Sequence, residues 1–193
     1  MNPQLDDVEA ELTYLRIRAL RPQAVVELGA FRGWSTTWIL RALRDNGSGS
    51  LTSFDLVDDS RRFVPAELTD RWQLVVGDVR TRLAAIPERV DYLFVDADHG
   101  ASFARWYLAE LMPRVSGGGS VHDVFHAPDP GRSGGEPAVV IEWLQQQGIA
   151  WMTPSRLAPG EVADRIAEVR RRLGFERQIH FGDHNSMVFF TLE

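Results

Sequence analysis

The chain has 193 residues, 44% of them hydrophobic and 25% charged, with a formal net charge of −6 and no cysteine. That is the make-up of one ordinary globular domain, long enough to bury roughly 70% of its unfolded surface. It speaks against nucleic acid or an anionic membrane as partner, since the one basic block, Arg170-Arg171-Arg172, falls on a solvated helix, and it rules out disulfides and thiolate metal sites.

The first residues, MNPQLDDVEAEL, are acidic and lack an apolar signal core, and no apolar run approaches the ~20 residues that span a bilayer. The expected location is cytoplasmic. Residues 4–20 place Leu5, Val8, Leu12, Leu15 and Ile17 at helical spacing, and Arg21-Pro22 ends that helix. Ala24–Leu28 is an apolar strand that stops beyond Glu27 at a turn bounded by Gly29 and Gly33. Ser35 and Thr36 open a helix carrying Trp38, Ile39, Leu40 and Leu43, which ends at Asn46-Gly47-Ser48-Gly49. Leu51–Leu56 is a second strand, closing on Asp55, and a short helix is expected near 61–69. Trp72–Val76 runs into Gly77-Asp78, with another short helix over Arg80–Ile86. Asp91–Val95 closes on Asp96-Ala97-Asp98-His99. A helix through Phe103, Tyr107, Leu108 and Leu111 follows, then Gly117-Gly118-Gly119 and a short strand into His122-Asp123. Residues 127–135 read as a mobile loop. A helix over 136–147, a strand over Ile149–Thr153, a helix through Val162, Ile166, Val169 and Leu173, and a closing strand Met187–Leu192 complete the chain.

Strands alternating with helices imply βαβ units and a mostly parallel sheet covered on both faces. Ligands in such sheets sit beyond the carboxyl ends of the strands. Glu27, Asp55, Asp78, Asp96 and Asp123 all fall at or just past those ends. Taken singly, each has an ordinary explanation: a strand-to-helix turn at Gly29 and Gly33, helix-capping aspartates at Asp58, Asp59 and Asp78, a histidine bonded to backbone at position 99. Asp55, about 26 residues after Gly29, lies where a carboxylate would accept hydrogen bonds from ribose hydroxyls. Asp98 and His99 are candidate general bases, since histidine titrates near neutral pH.

The stretch Val25-Val26-Glu27-Leu28-Gly29-Ala30-Phe31-Arg32-Gly33-Trp34-Ser35 resembles motif I of the class I methyltransferases that use S-adenosyl-L-methionine (SAM). Together with Asp96-Ala97-Asp98-His99 and the later His122-Asp123, it resembles the Asp-x-Asp-His subfamily related to catechol-type and sugar O-methyltransferases. The resemblance covers roughly residues 20–145. It implies a Rossmann-like, doubly wound seven-stranded sheet of order 3-2-1-4-5-7-6 with the last strand antiparallel, formed as one domain over 1–193 with an N-terminal helix in 1–20 and the core in 21–193. It implies SAM bound by Glu27, Gly29, Gly33, Ser35, Asp55, Asp78 and Asp96, with Gly29 near the amino-acid part, Asp55 at ribose and Asp78 near adenine. It further implies a divalent cation such as Mg²⁺ on Asp96 and Asp123. The residue after the second aspartate is Asn or Asp in such sites and is Val124 here, which leaves His122, His126 or Asp98 as substitutes. The implied reaction is O-methylation of a hydroxylated small molecule, with Asp98 or His99 removing the proton. The acceptor pocket would come from loops near 99–103, 125–135 and 175–185 or from a partner subunit, which leaves a homodimer open. A nicotinamide-dependent oxidoreductase lacks its Gly-x-Gly-x-x-Gly turn here, and a non-catalytic SAM-binding protein on the same fold remains the alternative raised by Val124.

Overall fold

The computed structural model describes residues 4–125, 134–158, 160–175, 177–181 and 186–192. Seven strands form one sheet: β1 (Ala24–Leu28), β2 (Ser50–Asp55), β3 (Trp72–Val76), β4 (Tyr92–Val95), β5 (Gly118–Val121), β6 (Trp151–Met152) and β7 (Val188–Thr191). Their order is β3-β2-β1-β4-β5-β7-β6. The first five run parallel, while β7 is antiparallel to both β5 and β6. Fold class and strand order are therefore those expected.

Both faces of the sheet are covered, and the strand sequences show why. Val25 and Val26 are neighbours, yet Val26 joins the core under α3 (Ala101–Glu110) and α4 (Glu136–Gln146), while Val25 joins the core under α1 (Asp7–Leu20) and α2 (Trp34–Asn46). Leu93 and Phe94 divide in the same way. A strand alternates its side chains between faces, so a sheet buried on both sides reads as an unbroken apolar run. Helix α1 starts at a capping box in which the Asp6 carboxylate accepts from the Glu9 amide and the Glu9 carboxylate accepts from the Asp6 amide.

Two expected short helices are 3₁₀ turns instead. Asp59–Arg62 and Ala66–Arg71 replace the helix near 61–69, because Pro65 sits between them and cannot donate to a continuing helix. Val79–Thr81 and Leu83–Ala85 replace that over 80–86, a span too short to nucleate α-helical hydrogen bonding. The sixth strand shrinks to Trp151–Met152. Helix α5 (Val162–Arg172) buries none of its residues.

In this register Leu28 stands opposite Phe54 and Val95, Asp55 opposite Val76, and Val95 opposite Val121. The residues that follow these strands therefore share one edge, and β1 lies where the strand order reverses, the crevice that open α/β sheets offer to ligands.

Candidate active site

A cavity of about 460 Å³ opens at that edge, bounded by Gly29 and Phe31 from the first turn, Asp55 and Leu56 after β2, Gly77-Asp78-Val79 after β3, and Asp96-Ala97-Asp98 after β4, with Phe103 of α3 as a wall. Gly29 has φ +85°, and its amide donates to the Phe54 carbonyl at 2.9 Å. A Cβ there would lie 1.8 Å from the Asp96 carbonyl oxygen. Glycine is thus required by the contact between the first turn and the end of β4, and the same contact brings turn backbone to the cavity. Gly33, at φ +77°, packs on Val64, whose side chain a Cβ would meet at 2.5 Å.

Asp55 holds the turn. One carboxylate oxygen accepts from the Ala30 and Phe31 amides at 2.9 and 2.7 Å, the other from Val57 at 3.1 Å. Asp78 caps the following 3₁₀ turn and pairs with the Arg80 guanidinium at 2.6 Å, which holds its carboxyl below the usual range. Asp58 is exposed, and neither it nor Asp59 borders the cavity.

Glu27, Gly33 and Ser35 are placed differently from the other expected cofactor residues, since none of the three borders the cavity. Glu27 is fully buried, and its carboxylate accepts from the hydroxyls of Ser35, Thr36 and Ser53. Burial pushes it up to about 7 against the pull of those three donors. The Ser35 hydroxyl, expected to face the cofactor, is instead committed to Glu27, which pins the first turn of α2 onto β1 and β2.

Beside the cavity, sharing Asp96 with it, lies a second cluster. Asp96 follows β4, and its amide donates to Leu28. His122 and Asp123 follow β5, and Asp123 takes the left-handed conformation at φ +60°, rare outside glycine. His99 Nε2 is 3.1 Å from Asp123 Oδ2, and its Nδ1 is 2.9 Å from Glu136 Oε2. Tyr107 donates to the other oxygen of Glu136 at 2.8 Å, and the Glu136 amide donates to the His99 carbonyl. His122 Nδ1 is 3.0 Å from Asp123 Oδ1 and 3.4 Å from Asp96 Oδ1, yet aligned for a hydrogen bond to neither. Its Nε2 reaches Glu9 of α1 at 3.4 Å. The hydrogen bond to Glu136 raises His99, while burial raises Glu136 itself. Burial opposes charge on His122, but Asp96, Asp123 and Glu9 outweigh it and raise His122 well above the usual range. Donor atoms of Asp96, His99 and Asp123 all lie within 4.8 Å of one another. Asp98 is exposed at the cavity rim, one oxygen accepting from the Gly100 amide at 2.7 Å.

Of the acids and histidines in Asp96-Ala97-Asp98-His99 and His122-Asp123, the structure brings Asp96, His99, His122 and Asp123 together, while Asp98 stands apart at the cavity rim. Val124 is buried and offers no ligand atom. His126 and most of the loop at 127–135 lie outside the described residues. Sequence reasoning missed Glu9, Tyr107 and Glu136. Glu136 shows itself only as an acid in the first turn of a helix, a common place for one, and Glu9 only as the fourth residue of a capping box.

A family model described as a methyltransferase domain matches residues 26–126. A protein of Mycobacterium sp. (strain KMS), provisionally named an O-methyltransferase, is 36% identical over 90 residues, which make up 42% of this chain and 39% of that protein. The matched stretch thus spans well under half of that relative's length. Among solved structures, an O-methyltransferase from Bacillus cereus in complex with S-adenosylhomocysteine (SAH) superposes with a TM-score of 0.68 at 14% identity, covering 100% of this chain and 84% of that one. The O-methyltransferase TomG from Streptomyces achromogenes, involved in tomaymycin synthesis and solved with SAM, gives 0.62 at 16% identity, covering 95% of this chain and 78% of that one. At such identities these two likenesses concern the fold.

Proposed function

Since the chain belongs to this family of methyltransferase domains, we propose that it transfers the methyl group of SAM to an oxygen of a hydroxylated small molecule. One observation carries the reading: the cavity bordered by Gly29, Asp55 and Asp78 and the cluster of Asp96, His99 and Asp123 meet at Asp96. A cofactor in the first would present its methyl group to an acceptor in the second. In this placement the turn backbone at Gly29 receives the amino-acid part. Asp55 has a lone pair left for ribose, since a carboxylate offers about four and three are used. Gly77-Asp78-Val79 borders the adenine.

The acceptor oxygen forms its bond to the methyl carbon as the carbon–sulfur bond breaks, SAH leaves, and the hydroxyl proton goes to a base. Alignment of oxygen, carbon and sulfur is the main demand on the protein. Asp98 is the better base of the two candidates. Both nitrogens of His99 already face carboxylates, whereas Asp98 stands at the cavity rim with one backbone partner.

A divalent cation fits this cluster in part. Asp96, His99 and Asp123 would hold it, and when bound it would polarise the acceptor oxygen. Among the described residues, Val124 adds no side-chain oxygen to those of Asp96 and Asp123.

We take residues 1–193 as one such domain, working in the cytoplasm without nucleic-acid or membrane partners. No described helix is long and apolar enough to cross a membrane. A homodimer is part of the proposal: α5 buries nothing, and Val169, Leu173 and Phe175 are each more than half exposed. Sedimentation would report the assembly. The deciding experiment is calorimetry with SAM, SAH and NADH, followed by labelled methyl transfer to a panel of hydroxylated small molecules. Binding of SAM and SAH with labelled product is expected. Binding of NADH alone would overturn the reading, and SAH binding without product across the panel would favour the non-catalytic alternative.

A further inference from the structure

Building on the methyltransferase reading, we propose that His99 supplies a nitrogen ligand to a divalent cation held with Asp96 and Asp123, and that Glu136 with Tyr107 is the device that positions its ring. The site would then take a first-row transition cation through mixed nitrogen and oxygen donors. Four features converge on this. The donor atoms of the three residues lie within 4.8 Å of one another. Position 124, next to Asp123, is a buried valine with no side-chain ligand atom. His99 turns Nε2 toward Asp123, while its far nitrogen sits 2.9 Å from a carboxylate that is 1% exposed and itself anchored by Tyr107. A carboxylate behind the ring fixes the tautomer and makes imidazole a better ligand.

The fourth feature is independent of His99. His122, whose side chain is 10% exposed, aims Nδ1 between the Asp96 and Asp123 carboxylates at 3.4 and 3.0 Å, and that atom has hydrogen-bond geometry to neither. A buried nitrogen within ion-pairing distance of two carboxylates, yet with hydrogen-bond geometry to neither, is what an ion or water held between them would account for. Among the described residues, Glu9, Asp96, Asp123 and Glu136 outnumber the two imidazoles of this cluster, which favours a cation over an anion. Imidazole is a poor partner for hard Mg²⁺ and a good one for Co²⁺, Fe²⁺ or Zn²⁺.

The test titrates the chelator-stripped full chain with Co²⁺ and with Mg²⁺ and measures SAH affinity on the same samples by calorimetry. Any site with these donors favours Co²⁺ to some degree, so the diagnostic quantity is how the Co²⁺-to-Mg²⁺ ratio responds to substitution. His99→Gln should lower that ratio at least tenfold. Glu136→Gln should weaken Co²⁺ by roughly 10–100-fold. Val124→Asn, by adding an oxygen, should strengthen Mg²⁺. In the Co²⁺-loaded wild type, proton NMR should show a hyperfine-shifted, exchangeable imidazole N–H belonging to the nitrogen that faces Glu136, lost in His99→Gln. An unchanged ratio in His99→Gln, a signal that survives there and vanishes in His122→Gln, or no divalent binding at all would overturn the proposal. SAH binding in those same samples separates the two readings: its persistence leaves the methyltransferase assignment standing, and its absence removes that assignment instead.

Discussion

Two carboxylates at neighbouring strand ends, Glu27 on β1 and Asp96 after β4, face opposite fates. Glu27 is sealed below the first turn, fully buried with its oxygens accepting from three hydroxyls of α2 and β2, and it does not border the cavity. Asp96 borders a cavity and converges with His99, His122 and Asp123. The first is a closed polar network that fixes a turn, the second an open one in which the buried His122 Nδ1 faces two carboxylates with hydrogen-bond geometry to neither. An acid at the end of a parallel strand is therefore not yet a functional residue. What distinguishes the two is access, since Glu27 is walled off from the cavity and Asp96 borders it.

The largest expected effect lies on the open side. Asp98→Asn should lower methyl transfer roughly 10²–10⁴-fold, the span of general-base catalysis, while leaving the melting temperature unchanged because the side chain is exposed. Labelled-methyl assays beside thermal melts read both. Wild-type turnover would move the base to His99 or elsewhere.

The closed side should respond in the reverse sense. Glu27→Ala strips three buried hydroxyls of their acceptor, at a cost of about 3 kcal/mol, since each orphaned group is worth about 1–3 and hydroxyls can turn to other partners. Urea unfolding should show that loss. A variant as stable as wild type but unable to bind SAH would break the contrast and make Glu27 a ligand residue.

How far the sequence reveals this contrast varies by residue. Strand order, the two glycines and the meeting of Asp96 with His122-Asp123 are legible, because apolar runs and strand-end acids are local signals that the parallel sheet gathers at one edge. The reason for Gly29 is not legible. It reads as room for a ligand, but its missing Cβ is room for the Asp96 carbonyl, 67 positions on. Any side chain at position 29 should thus deform the end of β4 as well as block binding, so Gly29→Val does not isolate the cofactor. Nor could spacing reveal that Ser35 is spent on Glu27 or that Glu136 stands behind His99 across 37 positions. Those pairings depend on side-chain direction and burial, which chain order does not encode.

Asp55 sharpens the comparison from between the two cases, since it both holds a turn and borders the cavity. Asp55→Ala should weaken SAH by about one to two decades, equivalent to on the order of 1.5–3 kcal/mol for hydrogen bonds to a charged acceptor. Asp58→Ala should leave the affinity as it was, the side chain being exposed and away from the cavity. Equal losses in the two variants would remove Asp55 from the ribose site.

The smallest effect is the pH dependence that Glu27 should carry. Burial raises Glu27 from 4.5 in the unfolded chain to about 7 in the fold. The folded state therefore holds its proton more tightly, and between those values unfolding releases it. Stability from this group is complete below pH 4.5, falls as pH rises toward 7, and is lost above it, the sign opposite to that of a salt-bridged carboxylate. A shift of this size corresponds to about 3 kcal/mol at most, and about 2 is the realistic expectation. Other groups titrate in the same window, so the measurement is a difference: unfolding free energies of wild type and Glu27→Gln compared at pH 5 and pH 8. The glutamine cannot ionise, which cancels everything but position 27. The wild type should lose about 2 kcal/mol relative to the variant over that interval. A difference that stays flat would mean that the carboxylate is already ionised at pH 5, its three hydroxyl donors having overcome burial, and Glu27 would then resemble the open site's carboxylates more closely than its seclusion suggests.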